Sequence, residues 1–213
     1  MRRVVLMALA MAAGFPAVAA AHLSVKVTDE EGQPVENAVV TFFPAGGAPA
    51  VAPRDAEMVQ SGKRFSPSIL VVPVGSRVKF PNRDEVAHHV YSFSSPKKFD
   101  LPLYVGEAVA PVVFDRPGVV TLGCNIHDWM VAHIFVSATP FHAVSGTDGR
   151  AHLHGVPSGG GVIEVWHPRL RGKPVSLERP AEGGDVPVAV LRLRPEVQRS
   201  EAPSNRRKSG GYR

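Results

Sequence analysis

Short apolar runs separated by glycine and proline recur along most of this chain of 213 residues. The runs are rich in β-branched residues, and 20 glycines and 20 prolines supply the breaks between them. Clear examples lie at residues 38–43, 68–73, 119–122 and 131–136. Runs of this length bounded by turn residues are typical of strands, whereas helical periodicity is scarce. The pattern predicts an all-β fold, with a helical turn expected only near residues 55–57 or 99–103.

The first 21 residues have the pattern of a secretory signal peptide. Arg2 and Arg3 precede an apolar run at residues 4–13, and small residues follow at 17–21. A basic start, a short apolar region and an Ala-x-Ala cleavage pattern are typical of export signals. A retained membrane anchor is the alternative, but the run is shorter than a bilayer span requires. We expect the mature chain to begin near residues 20–22, to be periplasmic and to have no stable membrane span.

Cys124 is the single cysteine of the chain. Exported proteins usually pair their cysteines, and a lone cysteine cannot form a disulfide within its own chain. Three roles remain open at this point: a small buried hydrophobe, an intermolecular link, or a thiolate that binds a metal or carries redox chemistry.

Three potential metal ligands lie close together in the segment Cys124-Asn-Ile-His127-Asp-Trp-Met130, which separates two strand-like runs. His88 and His89 lie upstream, after a turn that contains proline and asparagine. A thiolate, two imidazoles and a thioether are the donor set of a blue copper site, since sulfur favours Cu(I) and imidazole suits both oxidation states. Each residue alone has a simpler interpretation as core or loop material. The combination predicts one copper site, with the ligands His88, Cys124, His127 and Met130.

This region resembles the cupredoxins, and within them the amicyanin-like branch. The resemblance covers roughly residues 56–138 and rests on Phe65-Ser-Pro, the segment Val74-Gly-Ser-Arg-Val-Lys-Phe-Pro-Asn82, His88, the turn Pro117-Gly118 and the Cys-x2-His-x2-Met spacing. It implies a Greek-key β-sandwich that binds one type 1 copper ion. It also implies that Met130 is the axial ligand, that the ring edge of His127 lies near the surface as the electron gate, and that the equatorial ligands are His88, Cys124 and His127.

Two positions depart from the cupredoxin pattern. Many members have an asparagine directly after the first ligand histidine, where this chain has His89, and many have an aromatic residue near the ligand cysteine, where it has Gly123. His89 therefore stays open as an alternative to His88. We favour His88 because of its spacing from Asn82 and because one residue separates it from the apolar Val90.

The flanking segments resemble a second family, the carboxypeptidase regulatory-like or transthyretin-like β-sandwiches. The opening at residues 25–40 is of that type, and the later pieces are Thr147-Asp-Gly, Gly155-Val-Pro-Ser-Gly and the run at residues 162–166. We therefore predict that the cupredoxin domain is inserted into a small sandwich. The predicted parts are a signal peptide at residues 1–21, the first half of the small sandwich at 22–50, the cupredoxin domain at 55–139, the second half at 140–195 and a disordered basic tail at 196–213. The alternative is that the opening hairpin packs on the cupredoxin domain.

The formal net charge of +5 comes partly from the basic tail, which ends in Asn-Arg-Arg-Lys-Ser-Gly-Gly-Tyr-Arg. Basic tails can bind nucleic acid or anionic membranes. Export argues against nucleic acid as a partner. The simpler interpretation is a solvated terminus, because the segment has little apolar material to bury.

Histidines outside the copper motif form a weaker pattern. His152 and His154 would lie on one face of a strand, because alternate residues of a strand share a face. Separately, if cleavage makes His22 the first residue, its amine and ring could bind copper as in histidine-brace oxygenases, which requires an exact cleavage and partner histidines. A second metal site is thus an alternative to the simpler interpretation, in which these histidines face solvent.

One-electron transfer is the predicted function, with a periplasmic dehydrogenase or a c-type cytochrome as the redox partner. Similar arrangements occur in chains called methylamine utilisation proteins. Copper storage or delivery is the alternative, although delivery sites favour exposed and exchangeable ligand clusters. An enzyme is not predicted, because a binuclear electron-entry centre needs two cysteines and no Ser-His-Asp or paired-carboxylate arrangement stands out.

Overall fold

A computed structural model of the protein describes residues 21–107, 110–181 and 187–196. Every secondary-structure element assigned within these ranges is a β-strand, so the predicted all-β fold is confirmed. The expected helical turn is not found at either position. Asp55–Glu57 pairs with the strand Ser76–Lys79, and Phe99–Tyr104 pairs with the strand His88–Ser92. Neighbouring strands satisfy the backbone of both segments, and this tertiary pairing overrides their weak local preference.

The strands alternate with turns along the whole described chain. In chain order they are β1 (Ala21–Asp29), β2 (Val39–Pro44), β3 (Asp55–Glu57), β4 (Val59–Gln60), β5 (Phe65–Ser66), β6 (Ile69–Pro73), β7 (Ser76–Lys79), β8 (His88–Ser92), β9 (Phe99–Tyr104), β10 (Val112–Phe114), β11 (Gly118–Gly123), β12 (Val131–Ser137), β13 (His142–Val144), β14 (Arg150–Val156), β15 (Gly161–Trp166), β16 (Val175–Arg179) and β17 (Val188–Leu191).

Strands from both ends of the described chain form one two-layered unit, here called the flanking sandwich (residues 21–44 and 139–196). One sheet has the order β14-β1-β17, and the other has the order β13-β2-β15-β16. β1 runs antiparallel to β14 and parallel to β17. Apolar side chains from both sheets share one core, among them Val25, Phe42, Leu153 and Ile163.

The middle of the chain forms a second unit, here called the inner sandwich (residues 55–137). A five-stranded sheet, β6-β12-β11-β8-β9, and a three-stranded sheet, β10-β7-β3, contribute to its core, and the short pair β4–β5 lies beside them. β12 runs antiparallel to β11 and parallel to β6. Val78, Phe114, Val120 and Ile134 are buried together in this core.

Alternation of side chains along single strands explains which faces are buried. On β12, Ala132, Ile134 and Val136 are buried in the core of the inner sandwich, and on β17 Ala189 and Leu191 are buried in that of the flanking sandwich. Successive residues of a strand point to opposite faces, so a two-residue apolar period places one whole face in the core.

The two sandwiches pack against each other through strands that are covered on both faces. Val39 on β2 is buried with Ile69 and Val71 of β6, whereas its neighbour Val40 is buried in the flanking core. The ring of Trp166, at the end of β15, lies 5.9 Å from the Phe135 ring of β12. Burial on both faces explains why β6 is a continuous apolar run and why β2 is interrupted only by the buried Thr41, rather than both strands alternating.

Two predicted segments lie outside the described residues: the signal peptide, apart from its last residue, and the basic tail beyond residue 196. No helix in the described part of the chain has the length and apolar character needed to cross a membrane.

Candidate metal centre

The segment from Cys124 to Met130 is the loop that joins β11 to β12. The two strands stay paired up to Gly123, which lies opposite Val131. The Met130 N–H donates a hydrogen bond to the His127 carbonyl at 2.9 Å. Because the hairpin fixes both ends of the loop, the two sulfur-bearing side chains are held at its base, and both are buried.

His88 approaches this loop from another part of the chain. It is the first residue of β8, the strand that lies beside β11 on the side away from β12. Its side chain is fully buried, whereas that of His127 is half-buried. The Nδ1 atoms of these two histidines are 3.1 Å apart, and Cys124 Sγ lies 3.8 Å from His127 Nδ1. One ligand atom from each residue lies within 4.8 Å of the others, which brings three of the four predicted ligands together.

The chemistry of these three donors suits a transition metal of borderline or soft character. Thiolate selects Cu(I) and Zn, and imidazole suits copper in both oxidation states. Met130, the predicted fourth ligand, is buried in the same apolar cluster as Cys124. The donor set therefore fits copper, while the role of Met130 as a ligand stays a prediction.

His89 belongs to the opposite face of β8. Its Nε2 lies 2.7 Å from Asp100 Oδ1 on the neighbouring strand β9. Adjacent strand residues point to opposite faces, so only one of the two successive histidines can face the loop. The cluster contains His88 and not His89.

Asp84 anchors the outer nitrogen of His88. The Nε2 of His88 lies 2.7 Å from Asp84 Oδ2, and the carboxylate also accepts hydrogen bonds from the N–H groups of Gly62 and Lys63. Partial burial raises the pKa of Asp84, but the hydrogen bonds from His88, Lys63 and Gly62 together outweigh it and leave the pKa below its ordinary value. An ionised carboxylate on Nε2–H fixes the tautomer that leaves Nδ1 free to bind a metal.

Asn82 shapes the loop that carries Asp84 to this position. Its side-chain amide donates to the carbonyls of Val86 and Tyr104 at 2.9 and 2.8 Å. Its side-chain oxygen accepts a hydrogen bond from the Asp84 N–H at 3.0 Å. A buried side chain that closes its own loop in this way holds the segment before β8 in one conformation.

The surroundings of His127 favour the neutral ring. Burial lowers its pKa, and the charges of His88 and Lys63 lower it further, against a smaller opposing effect of Asp84. Metal ligands must be deprotonated, so a neutral imidazole at neutral pH is ready to bind.

Gly123 lies directly before the cysteine, where many cupredoxins have an aromatic residue nearby. A Cβ at this position would lie 2.8 Å from the ring of Tyr91, the residue paired with it on β8. The Tyr91 ring lies between those of His89 and Phe93, at 5.3 and 5.2 Å. The aromatic side chain beside the cysteine thus comes from the neighbouring strand.

Asp84 and Tyr91 are the contributors to the site that the sequence did not predict. Asp84 lies in a turn four residues before His88, a spacing that carries no signal outside a helix. Its contact with His88 depends on the loop closed by Asn82. Tyr91 lies against Gly123, the residue before the cysteine, only through pairing between β8 and β11, which the sequence pattern does not specify.

The fold and the site together define an all-β protein with a His-Cys-His cluster at the end of a β-hairpin. No family model matches the chain, and no curated protein matches it.

Solved structures give local matches. A purple cupredoxin from Nitrosopumilus maritimus is 28% identical over 39% of this chain and 100% of its own, with a TM-score of 0.35. A reduced amicyanin variant is 20% identical over 48% of this chain and 100% of its own, with a TM-score of 0.37. A copper-containing nitrite reductase from Thermus scotoductus is 28% identical over 49% of this chain and 25% of its own, with a TM-score of 0.37. Each of these similarities covers less than half of this chain.

Proposed function

We propose that the protein is an exported type 1 copper protein that carries single electrons between redox partners. The observation that carries the proposal is the cluster of His88, Cys124 and His127, whose ligand atoms lie within 4.8 Å of one another. When bound, copper would supply a one-electron couple between Cu(I) and Cu(II). Met130 is the fourth ligand in this proposal.

The protein frame around the cluster favours fast electron exchange, because it limits movement of the ligands. Cys124 and Met130 sit at the ends of two fully paired strands, and His88 is held by Asp84. Ligands fixed by packing and by outer hydrogen bonds need little rearrangement when the charge of the site changes.

His127 provides the route to the surface. It is half-buried, whereas Cys124, Met130 and His88 are buried. Its ring lies 5.1 Å from the Trp129 ring, and its neighbour Ile126 is 48% exposed. A redox partner that docks beside His127 would meet the imidazole edge, while the other three donors stay shielded from water.

The same burial supports retention of copper rather than delivery. Donors held in a packed core exchange a metal slowly, because release requires the hairpin to open. All four proposed donors are protein side chains, and a closed donor set leaves no position for a substrate. We therefore propose a carrier and not an enzyme.

The proposed partners are a periplasmic dehydrogenase and a c-type cytochrome. The proposal of a periplasmic location rests on the N-terminal sequence pattern alone, with its basic residues Arg2 and Arg3 and its small residues before His22.

The visible spectrum of the mature protein with added Cu(II) tests the proposal. We expect an intense thiolate-to-copper band in the unchanged chain and no such band in Cys124→Ser. The matched control is His89→Gln, which should keep the band because His89 faces Asp100. A protein that retains one Cu(II) at this cluster without the band would contradict electron transfer and support storage or delivery.

A further inference from the structure

A second group of histidines lies on the flanking sandwich, far along the chain from the copper motif. His22 is on β1, and His152 and His154 are on the adjacent strand β14. All three side chains are exposed on the same face of the sheet, opposite to the buried Leu23 and Leu153. We call these three residues the histidine patch.

Two of the patch residues have nitrogen atoms in close contact. The Nδ1 atoms of His22 and His154 are 3.0 Å apart, their ring centroids are 4.9 Å apart, and their planes are inclined by 88°. The pair His88 and His127 of the candidate metal centre has the same arrangement, with 3.1 Å between Nδ1 atoms and 4.9 Å between centroids.

The separation of the two nitrogens suits a shared metal ion. With metal–nitrogen distances of about 2.0–2.1 Å, two nitrogens 3.0 Å apart subtend an angle of about 95° at the ion. Neighbouring ligands in a tetragonal Cu(II) site meet at about 90°, whereas a tetrahedral zinc site requires about 109°. Because His88 and His127 have nearly the same separation, this distance shows only that both nitrogens can reach one ion, and the choice of Cu(II) rests on the nitrogen-only donor set.

An irregularity in the sheet brings this pair together. The pairing of β1 with β14 shifts between Ala21 and Leu23, so that His154 and Gly155 both lie opposite His22. Gly155 has a φ of 67°, a conformation that favours glycine. An extra residue in a strand is a β-bulge, which changes the direction in which the neighbouring side chains point. Such bulges are frequent beside functional sites.

Further donors lie within the same patch. His152 pairs with Ser24, two residues along β1 from His22, and its side chain would have to turn toward the pair to become a third donor, because the three histidines do not bring one nitrogen each within 4.8 Å of the others. A chain cleaved directly before His22 adds the α-amine, which forms a six-membered chelate ring with Nδ1 of the same residue.

We propose that His22 and His154 are the core ligands of a second copper site, which binds Cu(II) through nitrogen donors on the surface of the flanking sandwich. The third donor is either His152 or the α-amine of His22. The site is independent of the electron carrier proposed above, because it contains no sulfur and belongs to the other sandwich. It is exposed, so copper has direct access to it from solution.

The test is a Cu(II) titration of the mature chain beginning at His22, with bound copper counted after dialysis and the Cu(II) signal recorded by electron paramagnetic resonance. We expect two bound ions, the second with a tetragonal signal split by nitrogen. His22→Gln and His154→Gln should each lose this second ion and keep the thiolate-to-copper band. His142→Gln, a histidine of the same sandwich outside the patch, should bind both ions.

Two further chains identify the third donor. If a chain with two extra residues before His22 no longer binds the second ion, the α-amine is the third donor. If His152→Gln no longer binds it, the imidazole of His152 is the third donor. Either result supports the site. One bound ion in the unchanged chain, or a second ion that survives both His22→Gln and His154→Gln, would overturn it. Loss of the thiolate band with retention of the tetragonal signal would instead contradict only the electron carrier.

Discussion

Gly123 lies directly before Cys124, at a position where the neighbouring strand leaves no space for a side chain. An added methyl group would lie 2.8 Å from the Tyr91 ring, which is confined between two other rings. We expect Gly123→Ala to lower the free energy of unfolding by about 1–3 kcal/mol, the usual cost of overpacking. Urea denaturation measures this change.

Gly46→Ala is the matched control for that substitution. Gly46 has open space around its Cβ position, and its φ is not positive. Its replacement should change stability by less than about 0.5 kcal/mol. Equal effects of the two substitutions would show that Tyr91 moves aside without cost and that the close approach has no role.

Asp84 positions His88, and its loss should weaken copper binding without unfolding the chain. Asp84→Asn removes the carboxylate that holds His88 Nε2 at 2.7 Å. Outer-shell partners of metal-binding histidines typically contribute about 10–100-fold in affinity. We expect a decrease of that size, measured by competition with a copper chelator.

The neighbouring substitution Glu85→Gln controls for the change of charge. Glu85 is exposed and one residue away from Asp84. It should leave the copper affinity unchanged, while Asp84→Asn lowers it. If both variants bind copper equally well, the His88 ring is held by its packing alone.

At the scale of the elements, a single buried hydroxyl connects distant segments of the flanking sandwich. Ser145 Oγ donates to the Val35 carbonyl at 2.7 Å and accepts a hydrogen bond from the Ala38 N–H at 2.9 Å. Both partners lie more than one hundred residues away in the sequence. Ser145→Ala would leave two buried backbone groups without this partner.

We expect Ser145→Ala to lower the free energy of unfolding by about 1–3 kcal/mol, the usual effect of leaving a buried polar group without a hydrogen-bond partner. Thermal and urea unfolding both measure it. Ser176→Ala is the control, since Ser176 lies exposed on β16. A stability change no larger than that of the control would mean that water replaces the hydroxyl.

For the whole molecule, His167 makes stability depend on pH. Burial lowers its pKa to about 4, the charge of Arg169 adds to this, and a hydrogen bond to the Glu36 backbone opposes it. Nδ1 of His167 accepts a hydrogen bond from the Arg169 N–H at 3.1 Å, so a proton on Nδ1 would break that bond. The pKa of His142 is also lowered, chiefly by burial.

The sign of the effect follows from proton binding. Between about pH 6.5 and pH 4 the unfolded chain holds a proton on residue 167 and the folded chain does not, so stability falls as the pH falls through this window. For His167 alone we expect a loss of about 2 kcal/mol between pH 7 and pH 5. In His167→Gln, the free energy of unfolding should fall by about 2 kcal/mol less between pH 7 and pH 5 than in the unchanged chain. Urea unfolding at the two pH values measures this difference. An unchanged pH dependence would contradict the assignment to His167.

Packing between the two sandwiches shows what local patterns leave open. The largely apolar runs of β2 and β6 predict strands, but they do not say what covers the second face. In the structure the second faces cover each other, because Val39 of β2 is buried with Ile69 and Val71 of β6 between the two sandwiches. Such a contact joins residues about thirty positions apart, and no period in the sequence encodes it.

The sequence alone determined the class of fold and the chemistry of the site. Strand runs and turn residues act locally, so a one-dimensional pattern is enough to predict an all-β chain. The Cys-x2-His-x2-Met spacing likewise places three donors on one short loop.

Tertiary structure decided which groups meet. The choice of His88 over His89 in the cluster follows from the face that β8 turns toward β11, and the contact of Asp84 with His88 follows from a loop closed by Asn82. The pairing of His22 with His154 depends on a shift in register between strands more than one hundred residues apart. These contacts are set by long-range strand pairing, whose energy depends on the whole packed molecule and not on any short segment.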